Sequence, residues 1–247
     1  MATTRTFVEY AHCLAESLAS GRREARAARC SFKEPSLPAA LSASHGIVVV
    51  TAHAGAWDAA APLLARDFAR PVTVVMRPEV GRGARKIHDG VRRRAGVQIV
   101  HVGCDATDPL PLLSSLRSGG VVAFQLDRVP PGVRSLKVPL FGRTAAVPEG
   151  PFRMAALARV PVLPLFVRRV AAFDYEIWGG PLLRLERRAS QGELSAVAAR
   201  AVWELERFIR AHPSQWFCFE SAPEAGAPFQ AERQPSAADV SHPRRAP

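Results

Sequence analysis

Apolar positions along the chain alternate between two periods. Ile47, Val48, Val49 and Val50 form a continuous β-branched run. Similar runs recur at Pro71–Met76, Val97–Val102, Val121–Gln125 and Val160–Arg168. Continuous runs of this length, bounded by turn residues, predict strands buried on both faces. Between them lie stretches of helical spacing. A helix is expected to begin near Trp57 or Asp58, others over Arg82–Ala95 and Asp108–Arg117, and one after Pro148-Glu149-Gly150-Pro151, with Pro151 suited to a first turn. Glu193–Ala211 places Leu194, Val197, Ala198, Ala201, Leu205, Phe208 and Ile209 on one face and predicts a long final helix. The alternation predicts a single α/β domain, with a mainly parallel central sheet and helices on both faces. Pro161 and Pro164 suggest an edge strand or a bulge for Val160–Arg168. Tyr175–Trp178 reads as its antiparallel partner, Val138–Phe141 as a short strand, and Trp216–Phe219 as a possible last one.

The ends read differently. Residues 1–30 predict an amphipathic helix, with Phe7, Tyr10, Ala11, Leu14 and Leu18 on one stripe and Arg22, Arg23, Arg26 and Arg29 behind them. Such a helix suits an anionic membrane surface, and equally a packed helix with a solvated arginine face. Residues 31–222 form the core domain, entered through a linker over Ser31–Ser44. Residues 223–247, rich in Pro, Ala and Gln, are expected to be disordered. No segment is apolar enough to span a bilayer, and no secretory h-region is present.

Charge narrows the partners. The 247 residues carry a net +11, and only Lys33, Lys86 and Lys137 among the 33 basic residues are lysine. A basic surface favours phosphates, anionic lipid or an acidic carrier protein. Aromatic content is 7%, and no nucleic-acid-binding motif is present, so nucleic acid is set aside. The four cysteines form no C-x-x-C pair and read as free thiols.

Candidate chemistry gathers where the first strand ends. His53 leaves that strand, Gly55 turns the chain, and Asp58 enters the next helix. Of seven histidines only His53 has an acidic residue five positions on. Across a strand-turn-helix, that carboxylate can fold back on the imidazole, fix its tautomer and leave one nitrogen as a base. A core histidine and an unrelated helix-start aspartate have the same spacing. By position, Arg77, Asp127, Arg128, Glu149 and Arg153 also fall at strand ends or helix starts. The arginines suit phosphates. A surface salt bridge explains Arg128 and Arg153 equally well, and a helix-dipole role is the competing account of Glu149.

Four blocks in order resemble the late acyltransferases of lipid A biosynthesis, within the wider glycerolipid acyltransferase group. They are His53-x4-Asp58, GGVVAFQLDR (Gly119–Arg128), KVPLFGRTAAVPEGPFRMAALARVPVLPLFVRR (Lys137–Arg169) and RFIRAHPSQWF (Arg207–Phe217). The resemblance covers about residues 5–220. It implies acyl transfer from an acyl-carrier-protein or acyl-CoA thioester to a hydroxyl of a lipid or glycolipid, without cofactor or metal. His53 would be the general base and Asp58 its orienting partner. Backbone N–H groups at Gly55–Asp58 or at Glu149-Gly150 would serve the oxyanion. It implies that the Pro-Glu-Gly block binds the acceptor, and a peripheral place on the cytoplasmic face of a bacterial inner membrane. The chain departs from the family at the membrane-spanning N-terminal helix, at the DQD sequence near Asp127 and at Glu149, which leaves the acceptor open. A lipid- or carrier-binding protein that keeps the fold without catalysis is the alternative. No Gly-x-Ser-x-Gly elbow is present, against an α/β-hydrolase.

Overall fold

The computed structural model describes residues 2–19, 28–79, 81–102 and 109–219. The chain runs α1 (Ala2–Leu18), β1 (Arg29–Phe32), α2 (Leu37–Ser42), β2 (Ile47–Thr51), α3 (Trp57–Phe68), β3 (Val72–Met76), α4 (Arg82–Arg94) and β4 (Val97–His101). It continues through α5 (Leu110–Arg117), β5 (Val121–Gln125), the hairpin β6 (Ser135–Leu140) and β7 (Arg143–Pro148), α6 (Gly150–Ala158), β8 (Val162–Ala171), β9 (Asp174–Gly179) and α7 (Gln191–Ala211). A 3₁₀ turn follows at Pro213–Gln215.

Seven strands form one sheet in the order β1-β9-β8-β2-β5-β3-β4. β8, β2, β5, β3 and β4 are parallel, and only the β8–β9 pairing is antiparallel. The fold is therefore α/β, a single domain with a mostly parallel sheet between two helical layers.

The continuous apolar runs explain this layering. Residues of β2 alternate between the two faces. Val48 and Val50 join one core with Leu112 and Leu116 of α5, Phe152 and Ala155 of α6, and Leu194, Ala198 and Val202 of α7. Ile47 and Val49 join the other core with Leu37 and Leu41 of α2 and Ala60, Leu63 and Leu64 of α3. β2 thus lies at the centre, buried throughout.

Several elements differ from the sequence expectations. Ser31–Ser44 is no plain linker. It holds the end of β1, whose Cys30 pairs with Tyr175, and all of α2, whose Leu37 and Leu41 are buried. α1 ends at Leu18, and Arg29 belongs to β1; Arg22, Arg23 and Arg26 lie outside the described residues, as do residues 223–247. Arg143–Pro148 forms a strand that the periodicity does not predict, β7, paired with β6. β8 is an interior strand despite its prolines. The Pro164 carbonyl accepts from Gly180 N–H at 2.9 Å, so its backbone faces the β9 side, just past the end of β9 at Gly179. A proline there gives up only the bond that an N–H would return to the Gly180 carbonyl, where β9 has already ended. Trp216–Phe219 adds no strand; Trp216 makes one isolated bridge with Ala54.

Candidate active site

The parallel register of β2 on β5 sets the site. Ile47 pairs with Val121 and Thr51 with Gln125. Leu126 N–H donates to the Thr51 carbonyl at 2.8 Å, so the pairing continues one step beyond both strands. The next step brings His53 opposite Asp127. Both residues stand at the carboxyl ends of adjacent central strands, the usual place for ligands in an open α/β sheet.

Asp127 is bound to His53 three times over. The backbone N–H of His53 donates to both carboxylate oxygens at 3.1 Å. The imidazole Nδ1 lies 2.9 Å from Oδ1. The Asp127 side chain is 2% exposed and that of His53 is 22% exposed, so the carboxylate is buried and the ring reaches the surface. Burial pushes the Asp127 carboxyl upward, but the His53 imidazole, its backbone N–H and the Arg128 guanidinium outweigh this and hold it below the ordinary carboxylate range. An ionised Asp127 makes Nδ1 the donor of that pair and leaves Nε2 as the basic nitrogen. The Trp57 ring meets the imidazole edge-on at 5.5 Å. Phe217 N–H donates to the His53 carbonyl at 2.9 Å.

Asp58 is not the partner of His53. It sits in the first turn of α3, and its carboxylate faces α4 and α1. Arg92 Nε donates to Oδ1 at 2.9 Å and Arg92 Nη2 to Oδ2 at 3.1 Å. Ser17 Oγ donates to Oδ2 at 2.6 Å. The Arg92 side chain is 4% exposed, lies 3.7 Å from Glu79, and stands over the Trp57 ring at 5.8 Å. Its Nη1 is buried without a hydrogen-bond partner among the described residues. Asp58 therefore fixes the start of α3, and so the ring beside His53, through a buried ion pair.

The turn between His53 and α3 is a close backbone crossing. Gly55 has φ +57, and a Cβ there would meet the Val167 carbonyl oxygen at 2.0 Å. Gly55 N–H donates to the Gln215 carbonyl and Ala56 N–H to that of Val167, at 2.6 and 2.7 Å. Those two donors are spent inside the protein. Trp57 and Asp58 N–H, in the first turn of α3, carry no backbone bond among the described residues, and no side chain caps that end. They are the donors left free to face an anion.

A family model for bacterial lipid A biosynthesis acyltransferases matches residues 26–221. The chain belongs to this family. No curated protein matches it. The match takes in all four sequence blocks and leaves out the whole of α1.

Within this family member the remaining candidates separate into two groups. Arg77 is exposed just beyond β3, next to β5, and Arg128 follows Asp127 directly, its Nη2 3.3 Å from the Phe217 carbonyl. Both stand at the same sheet edge as His53. Glu149 belongs elsewhere in the network. It is 2% exposed at the N-cap of α6 and accepts from Arg153 Nε and, at 3.3 Å, from Gln191 Nε2, with Arg134 at 3.6 Å. Burial pushes its carboxyl up, but Arg153, Gln191 and Arg134 hold it below the usual range. No hydrogen bond or ion pair joins this cluster to His53 or Asp127 among the described residues. Gly150, the first residue of α6, is exposed. Sequence reasoning gave no role to Arg92 or Gln215. Gln215 is buried and clamps Arg169 on both sides, accepting from its N–H at 3.0 Å and donating to its carbonyl at 2.8 Å. Burial and nearby Glu16 push the Cys13 thiol up to about 12, and burial and Asp67 push that of Cys30 to about 11, so neither is a thiolate nucleophile.

Proposed function

We propose that this chain transfers a fatty acyl group from an acyl-carrier-protein or acyl-CoA thioester to a hydroxyl of a lipid or glycolipid acceptor. The family supplies the reaction class, a lipid A-type acyltransferase. The observation that carries the residue-level reading is the 2.9 Å contact between His53 Nδ1 and buried Asp127. In the proposed step, the acceptor oxygen attacks the thioester carbonyl carbon as His53 Nε2 takes the hydroxyl proton. The carbonyl oxygen becomes an oxyanion, received by the free N–H groups of Trp57 and Asp58, with Gly150 as a further donor. Collapse expels the thiolate, which recovers the proton from the imidazolium and leaves as a thiol. The ester forms, the thioester breaks, and no acyl-enzyme is needed. Asp127 stabilises the imidazolium throughout.

Arg77 and Arg128 are proposed to hold acceptor or donor phosphates, since both are exposed cations at this edge. A membrane face is proposed on α1. Phe7 and Val8 are 54% and 50% exposed, and Phe219, itself 45% exposed, stacks on Phe7 at 4.8 Å. α1 packs on α3, on α4 with its exposed Arg82, Lys86 and Arg94, and on the Pro213–Gln215 turn. An apolar patch beside a basic helix suits an anionic bilayer of the inner-membrane type. Among the described residues no helix is long and apolar enough to cross a membrane.

The test is thiol release from acyl-carrier-protein and acyl-CoA donors with a total lipid extract as acceptor. His53→Ala is expected to lose about 10²–10⁴-fold in turnover, the usual contribution of a general base. Mass spectrometry of the product names the acceptor. Equal inertness of both proteins, with lipid binding retained, would instead support a binding protein that keeps the fold.

A further inference from the structure

We infer that the surface depression formed by Arg159, Val160, Arg184, Leu185, Glu186 and Arg187 is a second binding site, for a compact phosphate-class anion. Its volume is about 390 Å³. It lies at the end of the sheet away from His53. Arg159 and Val160 lead into β8, whose Val162 pairs with Val48 near the start of β2, whereas His53 follows the end of that strand.

Three features of the chain point to an anion. Arg159, Arg184 and Arg187 are exposed, and none forms an ion pair or a side-chain hydrogen bond among the described residues. Glu186 is the lone carboxylate of the lining, and it forms no ion pair with any of them. The depression therefore presents three guanidiniums against one acid. Planar guanidiniums match phosphate oxygens two at a time.

The arginines are also held in place. Arg159 closes α6 in the left-handed conformation, φ 58, and its N–H bonds to the Ala155 and Ala156 carbonyls. Glycine is the usual residue at such a position, since a Cβ is disfavoured there. The facing segment is pinned by reciprocal 2.8 Å bonds between Leu183 and Val162, and Leu183 and Leu185 pack on the core. That alternation turns Leu183 and Leu185 inward and leaves Arg184 and Glu186 exposed. A cation at the carboxyl end of α6 also suits the helix dipole. The dipole accounts for Arg159 alone, because Arg184 and Arg187 sit on a segment that ends no helix.

The experiment titrates the full chain calorimetrically with inorganic pyrophosphate at low ionic strength. A binding event carried by these three arginines is expected. Loss of one or two charged hydrogen bonds should weaken it by about tenfold or more in Arg159→Gly and in the double variant Arg184→Gln/Arg187→Gln. Arg77→Gln/Arg128→Gln should keep this binding, which separates the site from the phosphate-holding role proposed at the His53 end. Arg159→Gly favours the left-handed backbone already present, so it keeps the fold, and thermal melting verifies that. A parallel arm uses vesicles of phosphatidic acid in phosphatidylcholine. Arginine-dependent retention on them assigns the anion to a lipid headgroup, and binding of pyrophosphate alone assigns it to soluble phosphate. No binding of either probe, or equal binding by wild type and both variants, overturns the site.

Discussion

His53 keeps company with the aspartate that is distant in sequence. Asp127 is 74 positions away and bonded at 2.9 Å, while Asp58, five positions away, serves Arg92. The two carboxylates therefore predict different phenotypes. Asp127→Asn should retain the fold and lose about 10²-fold or more in turnover, because an amide no longer stabilises the imidazolium or fixes its tautomer. Asp58→Asn strands a buried guanidinium. It should cost on the order of 3 kcal/mol of stability, read as a lower denaturant midpoint, with the activity of the folded fraction less affected. The reverse pattern would return the orienting role to Asp58. Acid tests Asp127 as well. The folded Asp127 carboxyl is held below its unfolded value, so its contribution is complete above the ordinary carboxylate range and disappears as pH falls through the depressed value. Melting temperature measured from neutral pH into that range should fall less steeply in Asp127→Asn than in wild type. Both residues were legible in the sequence as strand-end polar groups. Their pairing was not, because it depends on the register of β2 against β5, and local spacing favoured the nearer acid.

At the level of elements, the strand-turn-helix around His53 was readable because its rules are local. A β-branched run, a glycine and an alanine-rich stretch each specify one conformation. What fixes the turn is again distant. Val167 of β8 accepts from Ala56 N–H and approaches Gly55 so closely that no side chain fits. Gly55→Ala should cost about 3 kcal/mol or more, from the left-handed φ and the collision with the Val167 carbonyl together. Chemical denaturation measures it, and a loss under 1 kcal/mol would mean that β8 yields easily there. The misread elements share one cause. Pro164 looks like an edge signal until the end of β9 is seen to lie beside its missing donor. β1 and α2 are only four and six residues long, too short to show a period, and Leu37 and Leu41 become core only through the sheet they cover. β7 is a strand because β6 pairs with it over its whole length, and nothing in Arg143–Pro148 alone dictates that.

For the whole molecule, sheet polarity gathers His53, Asp127, Arg77 and Arg128 at one end, and α1 packs beside that end. The helix is held to the body largely by polar contacts. Glu16 is buried and bonded to Arg169 Nε at 2.7 Å and to the Tyr175 hydroxyl at 2.6 Å, and Ser17 bonds to Asp58. Its aromatic residues meet mainly Phe217 and Phe219, leaving Phe7, Val8 and Tyr10 substantially exposed. A surface helix that satisfies its polar groups inward and exposes its rings is what the proposed membrane face requires. The full chain should therefore pellet with vesicles containing anionic lipid and much less with pure phosphatidylcholine. The two parts of the contact respond differently to salt. Raising ionic strength from about 0.1 M to about 1 M shortens the screening length from roughly 10 Å to roughly 3 Å, which removes the pull of Arg82, Lys86 and Arg94 on the lipid charge. It leaves the apolar contribution intact. Each ring fully withdrawn from water contributes about 1.5–3 kcal/mol, so even partial insertion of Phe7 and Phe219 should be measurable. Phe7→Ser/Phe219→Ser is expected to lower the bound fraction at both salt concentrations, and the wild type should retain a salt-resistant fraction that the variant lacks. If 1 M salt strips the wild type completely and the variant behaves alike, the contact is purely electrostatic, and the basic face of α4, not α1, meets the membrane.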